Sequence, residues 1–261
     1  MQMVCGGSRL GFAFAPDFSS RWKLILGYER SPTIPEATMI VIPDALKSEI
    51  FLSPVKRISH GRYGRLVSCF PSRKNRMGIM CDSLLESDFC LELERRRGVK
   101  QYISQPFRIT EYKSHISYTP DFEVLFHNTK TVLFEIKSKN RYTYGRSAEK
   151  LQLFSSIFRE CGYSLEIALD SSILQFHKTH NLRTLYHQAY SVTDSEIERF
   201  KENISKYCRR EISISLLLAD GFEPTIIAYG LFYKVLLANL NRPLTVNTVV
   251  RVEPADEHLD K

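Results

Sequence analysis

The chain predicts an α/β fold: a mixed sheet flanked by helices, followed by a small, mostly helical domain of winged-helix-like order. Three observations carry that expectation. Residues 118–139 hold two apolar runs, Phe122 to Phe126 and Thr131 to Ile136, divided by the polar turn His127-Asn128-Thr129-Lys130. Bulky and β-branched residues around so short a turn read as a β-hairpin. Helical spacing stands on either side of it, with Leu84, Leu85, Phe89 and Leu93 before and Leu151, Phe154, Ile157 and Phe158 after. Beyond residue 170 the pattern changes to helices and one closing strand.

At 261 residues the chain is long enough to bury a sizeable core in one or two domains. No apolar run approaches the ~18–20 residues that span a bilayer, and Phe12 to Phe18 is too short and interrupted for a signal-peptide core. The six cysteines form no CxxC pair, the usage expected of reduced thiols in a cytoplasmic protein. Net charge is +7, unevenly spread. Residues 1–170 hold 25 Lys+Arg against 18 Asp+Glu, whereas residues 171–261 hold 11 against 11. The basic excess therefore belongs to the part with the hairpin, as expected if that part meets a polyanion.

Residues 1–55 form an N-terminal extension of no assigned role, with prolines at 16, 32, 35, 43 and 54 and one short strand candidate at Trp22 to Leu26. From Lys56 to Arg76 seven basic residues (Lys56, Arg57, Arg62, Arg65, Arg73, Lys74 and Arg76) occur with no acid between Glu49 and Asp82. Cations without local acids pair well with phosphates, releasing counterions, so Arg73, Lys74 and Arg76 are candidate DNA contacts. Ser83 and Glu86 fit a capping box, and Arg95-Arg96-Arg97-Gly98 would close that helix with favourable cations and a glycine cap. Val99 to Ile103 and Phe107 to Tyr112 read as strands. After the hairpin, Lys139, Arg141 and Arg146 make a second basic stretch, again a candidate for DNA contact. A helix from Ser147 to Cys161, stopped by Gly162, leads to a strand from Tyr163 to Leu169.

The hairpin carries chemistry. Asp121 follows Pro120, Glu135 comes fourteen residues after Asp121, and Lys137 two after that. Strand side chains alternate, so Glu135 and Lys137 share a face, and closure of the hairpin brings Asp121 near them. Paired carboxylates can hold a hard divalent cation through oxygen, and an adjacent ammonium can orient a water that attacks a phosphodiester. A match this short also describes an ordinary charged surface hairpin, so the surrounding order of elements has to decide.

That order (helix, strands, hairpin, helix, strand) resembles the restriction-endonuclease-like core, and Pro120-Asp121 with Glu135-Ile136-Lys137 resembles the PD-(D/E)xK signature. Residues Phe70 to Asn75, Ser83 to Phe89, Gln105-Pro106, Thr119 to Phe122 and Phe134 to Lys137, in this order, look like the TnsA family. Its members are the endonuclease subunits of heteromeric cut-and-paste transposases. The resemblance spans about residues 56–170 and is weaker beyond. It implies a Mg²⁺- or Mn²⁺-dependent DNA endonuclease that cuts the 5′ ends of a transposon, while a DDE-type transposase, TnsB, processes the 3′ ends. It further implies an ATPase regulator, TnsC, as partner. The family's helix acid falls on Glu86, its hairpin acid on Asp121 and its lysine on Lys137. Glu135 stands where some members carry glutamine. The metal ligands would be Glu86, Asp121 and Glu135. Alternative readings are a stand-alone restriction or repair nuclease and a catalytically silent DNA-binding scaffold.

Residues 171–261 are expected to be a separate partner-binding domain. Thr193 to Glu196 is a second capping signal, Ile212 to Leu218 and Ile226 to Leu240 read as helices, and Leu244 to Val252 alternates like a strand. The helix from Ile226 has only Lys234 charged, a poor DNA reader and a better core or partner surface. His177, His180, His187 and Cys208 match no recognised zinc spacing.

Overall fold

The computed structural model describes residues 40–55, 67–142 and 146–252. The expectations for residues 1–39, and for Lys56, Arg57, Arg62 and Arg65, lie outside the described residues. After a 3-10 turn at Asp44–Leu46 comes β1 (Ile50–Ser53), then an antiparallel pair, β2 (Ser68–Ser72) and β3 (Met77–Cys81). Helix α1 (Leu84–Arg95) leads to β4 (Val99–Ser104), β5 (Arg108–Glu111) and β6 (Ile116–Tyr118). The expected hairpin follows as β7 (Phe122–Phe126) and β8 (Thr131–Lys137). Helices α2 (Lys139–Tyr142) and α3 (Arg146–Glu160) then cross to β9 (Ser164–Leu169). The chain continues through α4 (Asp170–Ile173), α5 (Phe176–Ala189), α6 (Asp194–Ile204), β10 (Glu211–Ser213), α7 (Ile214–Ala219) and α8 (Pro224–Phe232). Strands β11 (Leu236–Leu237) and β12 (Val249–Val252) close it.

The fold is mixed α/β. One sheet has the order β4-β7-β8-β9, with β9 parallel to β8 and the other pairs antiparallel. Alternation along β8 divides its side chains between two cores. Val132, Phe134 and Ile136 join Phe89 and Leu93 of α1 in the larger core, where Phe89 lies 5.2 Å from Phe134 and 5.6 Å from Phe122 between ring centroids. Leu133 joins Leu151, Phe154, Ile157 and Phe158 of α3 in the other. Ile50, Ile109 and Tyr118, from the sheet β1-β5-β6, complete that second core. Strand β8 is thus covered on both faces, and Val132 to Ile136 are all buried.

Local chemistry accounts for the helix ends. The Ser83 hydroxyl accepts the Glu86 N–H at the start of α1, and Thr193 with Glu196 forms a full capping box on α6. Gly162, at φ +82°, ends α3 in a conformation that costs a residue with a side chain. Gly98 does not cap α1: the helix stops at Arg96 in extended geometry, and the Gly98 carbonyl instead accepts from His127 N at 2.9 Å.

Two expectations about the C-terminal part are corrected. The helix read from Ile226 to Leu240 ends at Phe232, because Lys234 turns to φ +60° and Leu236–Leu237 pairs with β12. Its apolar face is core, one of the two roles expected of it: Ile226, Ile227, Ala228, Leu231 and Phe232 are buried. This part also shares the larger core with α1. Tyr186 of α5 stacks on Phe70 with centroids 5.1 Å apart, and its hydroxyl donates to the Pro71 carbonyl at 2.7 Å. Arg183 grips the buried Asp88 of α1 with two hydrogen bonds of 2.7 and 2.8 Å, and Lys178 meets Glu92 at 2.8 Å. Arg95 donates to the Phe232 carbonyl at 3.1 Å.

The basic motif after Phe70 belongs to the same junction. The Arg73 guanidinium donates to the carbonyls of Ala189, Tyr190 and Val192 at 2.7–3.0 Å, at the C-terminal end of α5. The Lys74 ammonium donates to the carbonyls of Leu93, Arg96 and Val99 at the end of α1. Helix C-termini leave such carbonyls without partners and carry partial negative charge. The Arg73 and Lys74 side chains, expected at DNA, are thus engaged within the fold. Beneath them the fully buried Glu94 accepts from Ser72 Oγ, from Tyr102 Oη at 2.8 Å and from the Lys74 backbone N–H.

A truncation after Asp170 tests this junction. It would expose the face of α1 that now meets Leu182, Leu185, Tyr186 and Phe232. Four buried side chains at about 1.5–3 kcal/mol each rival the whole stability of a domain, about 5–15 kcal/mol. The truncated chain should lose its cooperative urea transition, which the full chain should retain. In the full chain, Arg73→Ala should lower the urea midpoint by about 2–4 kcal/mol of stability, the scale of charged hydrogen bonds lost to buried acceptors. Arg76→Ala, on the exposed turn between β2 and β3, should not.

Candidate active site

Strand pairing assembles the site. The β7–β8 register runs from Phe122↔Phe134 to Leu125↔Thr131, so one further step sets Asp121 across from Glu135. The Asp121 N–H donates to the Phe134 carbonyl at 3.0 Å, and the Ile136 N–H donates to Asp121 Oδ2 at 2.7 Å. The hairpin's end is thus stitched by a side chain where the backbone ladder stops. Glu135 is buried, 4% exposed, and both of its oxygens are engaged. Tyr118 Oη donates to Oε2, and Lys137 Nζ lies 2.6 Å from Oε1. The Lys137 side chain is 30% exposed, which leaves it open to solvent and to a ligand.

Electrostatics mark these residues out. Burial first, then the Glu135 charge, pushes the Asp121 carboxyl up to about 8 from its ordinary 3.8. The Ile136 N–H and Lys137 pull the other way, and Glu86 adds to the rise. Burial likewise raises Glu86, with help from Asp82 and Glu135. Glu86 lies at the start of α1, where Oε2 accepts the Asp82 N–H and Oε1 the Ser83 hydroxyl, each at 2.8 Å. It therefore joins the other acids through its field, while its oxygens cap its own helix. Among the described residues no three His, Cys, Asp or Glu side chains converge as a ligand set.

The chemistry of the donor set suits a hard divalent cation nonetheless. The three carboxylates lie within one another's fields beside the Lys137 ammonium, and their donor atoms are oxygens, which suit such an ion. Asp121, Glu135 and Glu86 would hold such an ion.

No protein-family model matches this chain, and no curated protein matches it either.

Of the candidate DNA contacts, Arg76 is exposed at φ +53° in the β2–β3 turn. The Lys139 N–H donates to Asp170 Oδ1 at 3.1 Å at the start of α2. Arg141 and Arg146 fall within α2 and α3, and their side chains lie outside the described residues. His177, His180 and His187 all lie on α5 and form no cluster with Cys208 among the described residues.

Three residues near the site were not among the expected site residues. Tyr118 holds Glu135, and its ring stacks on Phe154 of α3 at 5.0 Å. Burial and the Glu135 charge keep its hydroxyl protonated. Lys150 of α3 sits 5.7 Å above the same ring. Burial draws its ammonium below the usual lysine range, and Lys137 and Arg108 add to this while Glu135 opposes it. The third, Gln105, links the two ends of the acid set. Only the helical spacing of α3 hinted at where Lys150 would lie.

Asp121 makes stability depend on pH. Between its ordinary 3.8 and about 8 the folded protein holds a proton that the unfolded chain has lost, so stability falls as pH rises through that window. Asp121→Asn keeps an acceptor for the Ile136 N–H but cannot ionise. In chelator-treated protein, its Tm advantage over wild type should be small near pH 4 and greatest above pH 8. Parallel Tm profiles would show that Asp121 is not held protonated.

Proposed function

We propose that this chain is a metal-dependent DNA endonuclease with a restriction-endonuclease-like core. In this reading it is a TnsA-type subunit that cuts the 5′ ends of a transposon beside a TnsB-type DDE transposase, with a TnsC-type ATPase as regulator. The observation that carries the reading is the meeting of Asp121, Glu135 and Lys137 at one end of a hairpin, with Glu86 in electrostatic reach. The α7–turn–α8 unit followed by β12 supports a winged-helix-like C-terminal part.

A bound Mg²⁺ or Mn²⁺ would supply Lewis-acid polarisation of the scissile phosphate and a more acidic water. The chain's own residues do the rest. Tyr118 and Lys137 fix both oxygens of Glu135, which leaves its orientation little freedom. Lys137 presents an ammonium beside the acids, where it orients a water and stabilises charge that develops on the phosphorane. Lys150 and Arg108 add cations on the α3 side, suited to the backbone phosphates of a nucleic acid. Asp121, protonated at neutral pH in the empty site, must give up its proton before it serves as a ligand.

One observation favours a second reading. The Glu86 oxygens are committed to the start of α1, as a helix cap in a catalytically silent scaffold would be. The same assay separates the two. Purified protein should nick transposon-end DNA in Mg²⁺, in the presence of the TnsB- and TnsC-type partners, and not in EDTA. Asp121→Ala should cut at least ~10²–10³-fold more slowly, the scale of losing a group that stabilises the transition state. Lys150→Gln should weaken DNA binding and flatten its salt dependence by about one phosphate contact. Wild-type cleavage by Asp121→Ala would remove the hairpin as the active site, and no cleavage by the wild type would favour the scaffold.

A further inference from the structure

Gln105 lies where the chain passes from one sheet to another, between β4 and β5. Its backbone is left-handed, φ +46°, a region that residues with a Cβ seldom adopt and that the following Pro106 does not favour. Arg76, His115 and Thr129, also at positive φ, sit in turns between paired strands. This one sits beside the acids. Its N–H donates to the Asp121 carbonyl at 2.9 Å. Its side-chain Nε2 donates to Asp82 Oδ2, also at 2.9 Å. Asp82 in turn donates its own N–H to Glu86 Oε2 at 2.8 Å.

An unbroken chain of contacts thus runs from Asp121 on the hairpin, through Gln105 and Asp82, to Glu86 on α1. The two acids belong to different elements, and Gln105 joins the loop before α1 to the residue just ahead of β7. A neutral amide suits the position. It donates to Asp82 without adding charge to a site already crowded with carboxylates. The unfavourable backbone conformation aims both donors, one at each acid's support.

We infer that Gln105 is a positioning residue that sets the spacing between Glu86 and Asp121, and hence the site's ability to take a divalent cation. The inference rests on the nuclease reading above. Partners that orient metal ligands from outside typically change metal affinity or activity by about 10–100-fold.

Gln105→Gly separates positioning from folding, because glycine relieves the backbone while it deletes the amide bridge. Three measurements are made on the full chain: Tm in chelator, Mn²⁺ affinity by calorimetry without DNA, and single-turnover cleavage in Mg²⁺ at saturating and limiting DNA. Gln105→Gly should melt no lower than wild type, yet bind Mn²⁺ about 10-fold or more weakly. Its maximal cleavage rate should fall by a similar factor, with the DNA concentration for half-maximal rate unchanged. Gln105→Glu, which sets a like charge against Asp82, should lose as much or more, and Gln105→Asn should not restore the bridge across the longer gap. Unimpaired Mn²⁺ affinity and rate in Gln105→Gly would overturn the inference while leaving the nuclease reading intact. So would losses that only track a fall in Tm. A wild-type chain that neither binds Mn²⁺ nor cuts DNA would overturn the reading and this inference together.

Discussion

Antiparallel pairing of β7 with β8 forces two acids together, and the site follows from that constraint. Once Phe122 pairs with Phe134, Asp121 must face Glu135, and like charges directly opposite on a sheet destabilise it. Burial sharpens the conflict because a charge loses its hydration there. The chain relieves part of it with the Ile136 N–H on Asp121 and with Tyr118 and Lys137 on Glu135. The remainder surfaces as a proton retained on Asp121. A fold that only needed a hairpin would not place two carboxylates there, since apolar residues at both positions would be more stable.

Charge composition alone does not say which cations meet a partner. The basic excess of the first 170 residues reads as a polyanion footprint, but four of its cations serve the fold itself. Arg73, Lys74, Arg95 and Arg97 all donate to backbone carbonyls near helix ends. A cation that serves a helix C-terminus and one that serves a phosphate answer the same electrostatic demand, and residue type cannot distinguish them. Position can: Lys137, Lys150 and Arg108 lie on the side of the acids, and Arg73 and Lys74 at the junction with α5.

Where periodicity and caps agree, the fold was readable from the residues. The hairpin, α1, α3 and β9 lie within a residue or two of their expected limits because alternation, the Ser83 cap and Gly162 act locally. The β2–β3 pair is not legible because Pro71 and the basic residues beside it resemble a loop. Helix α8 was read eight residues too long because Leu236 and Leu237 fit helical spacing as well as a strand, and only pairing with β12 decides. Within the site, Asp121, Glu135 and Lys137 were visible through their spacing. Tyr118 and Gln105 were not readable as site residues, since their roles depend on which loops the tertiary fold brings together.

The central claim is that the acids at the hairpin's end form a cation site held partly protonated when empty. Calorimetric titration of Mn²⁺ into the full chain at pH 7, in buffers of different ionisation enthalpy, tests it directly. With Asp121 raised to about 8, the cation must displace a proton, so the measured heat should change with the buffer. In Asp121→Asn that buffer dependence should vanish and the affinity should fall. Absence of binding in the wild type, or binding with the same heat in every buffer, would contradict the account.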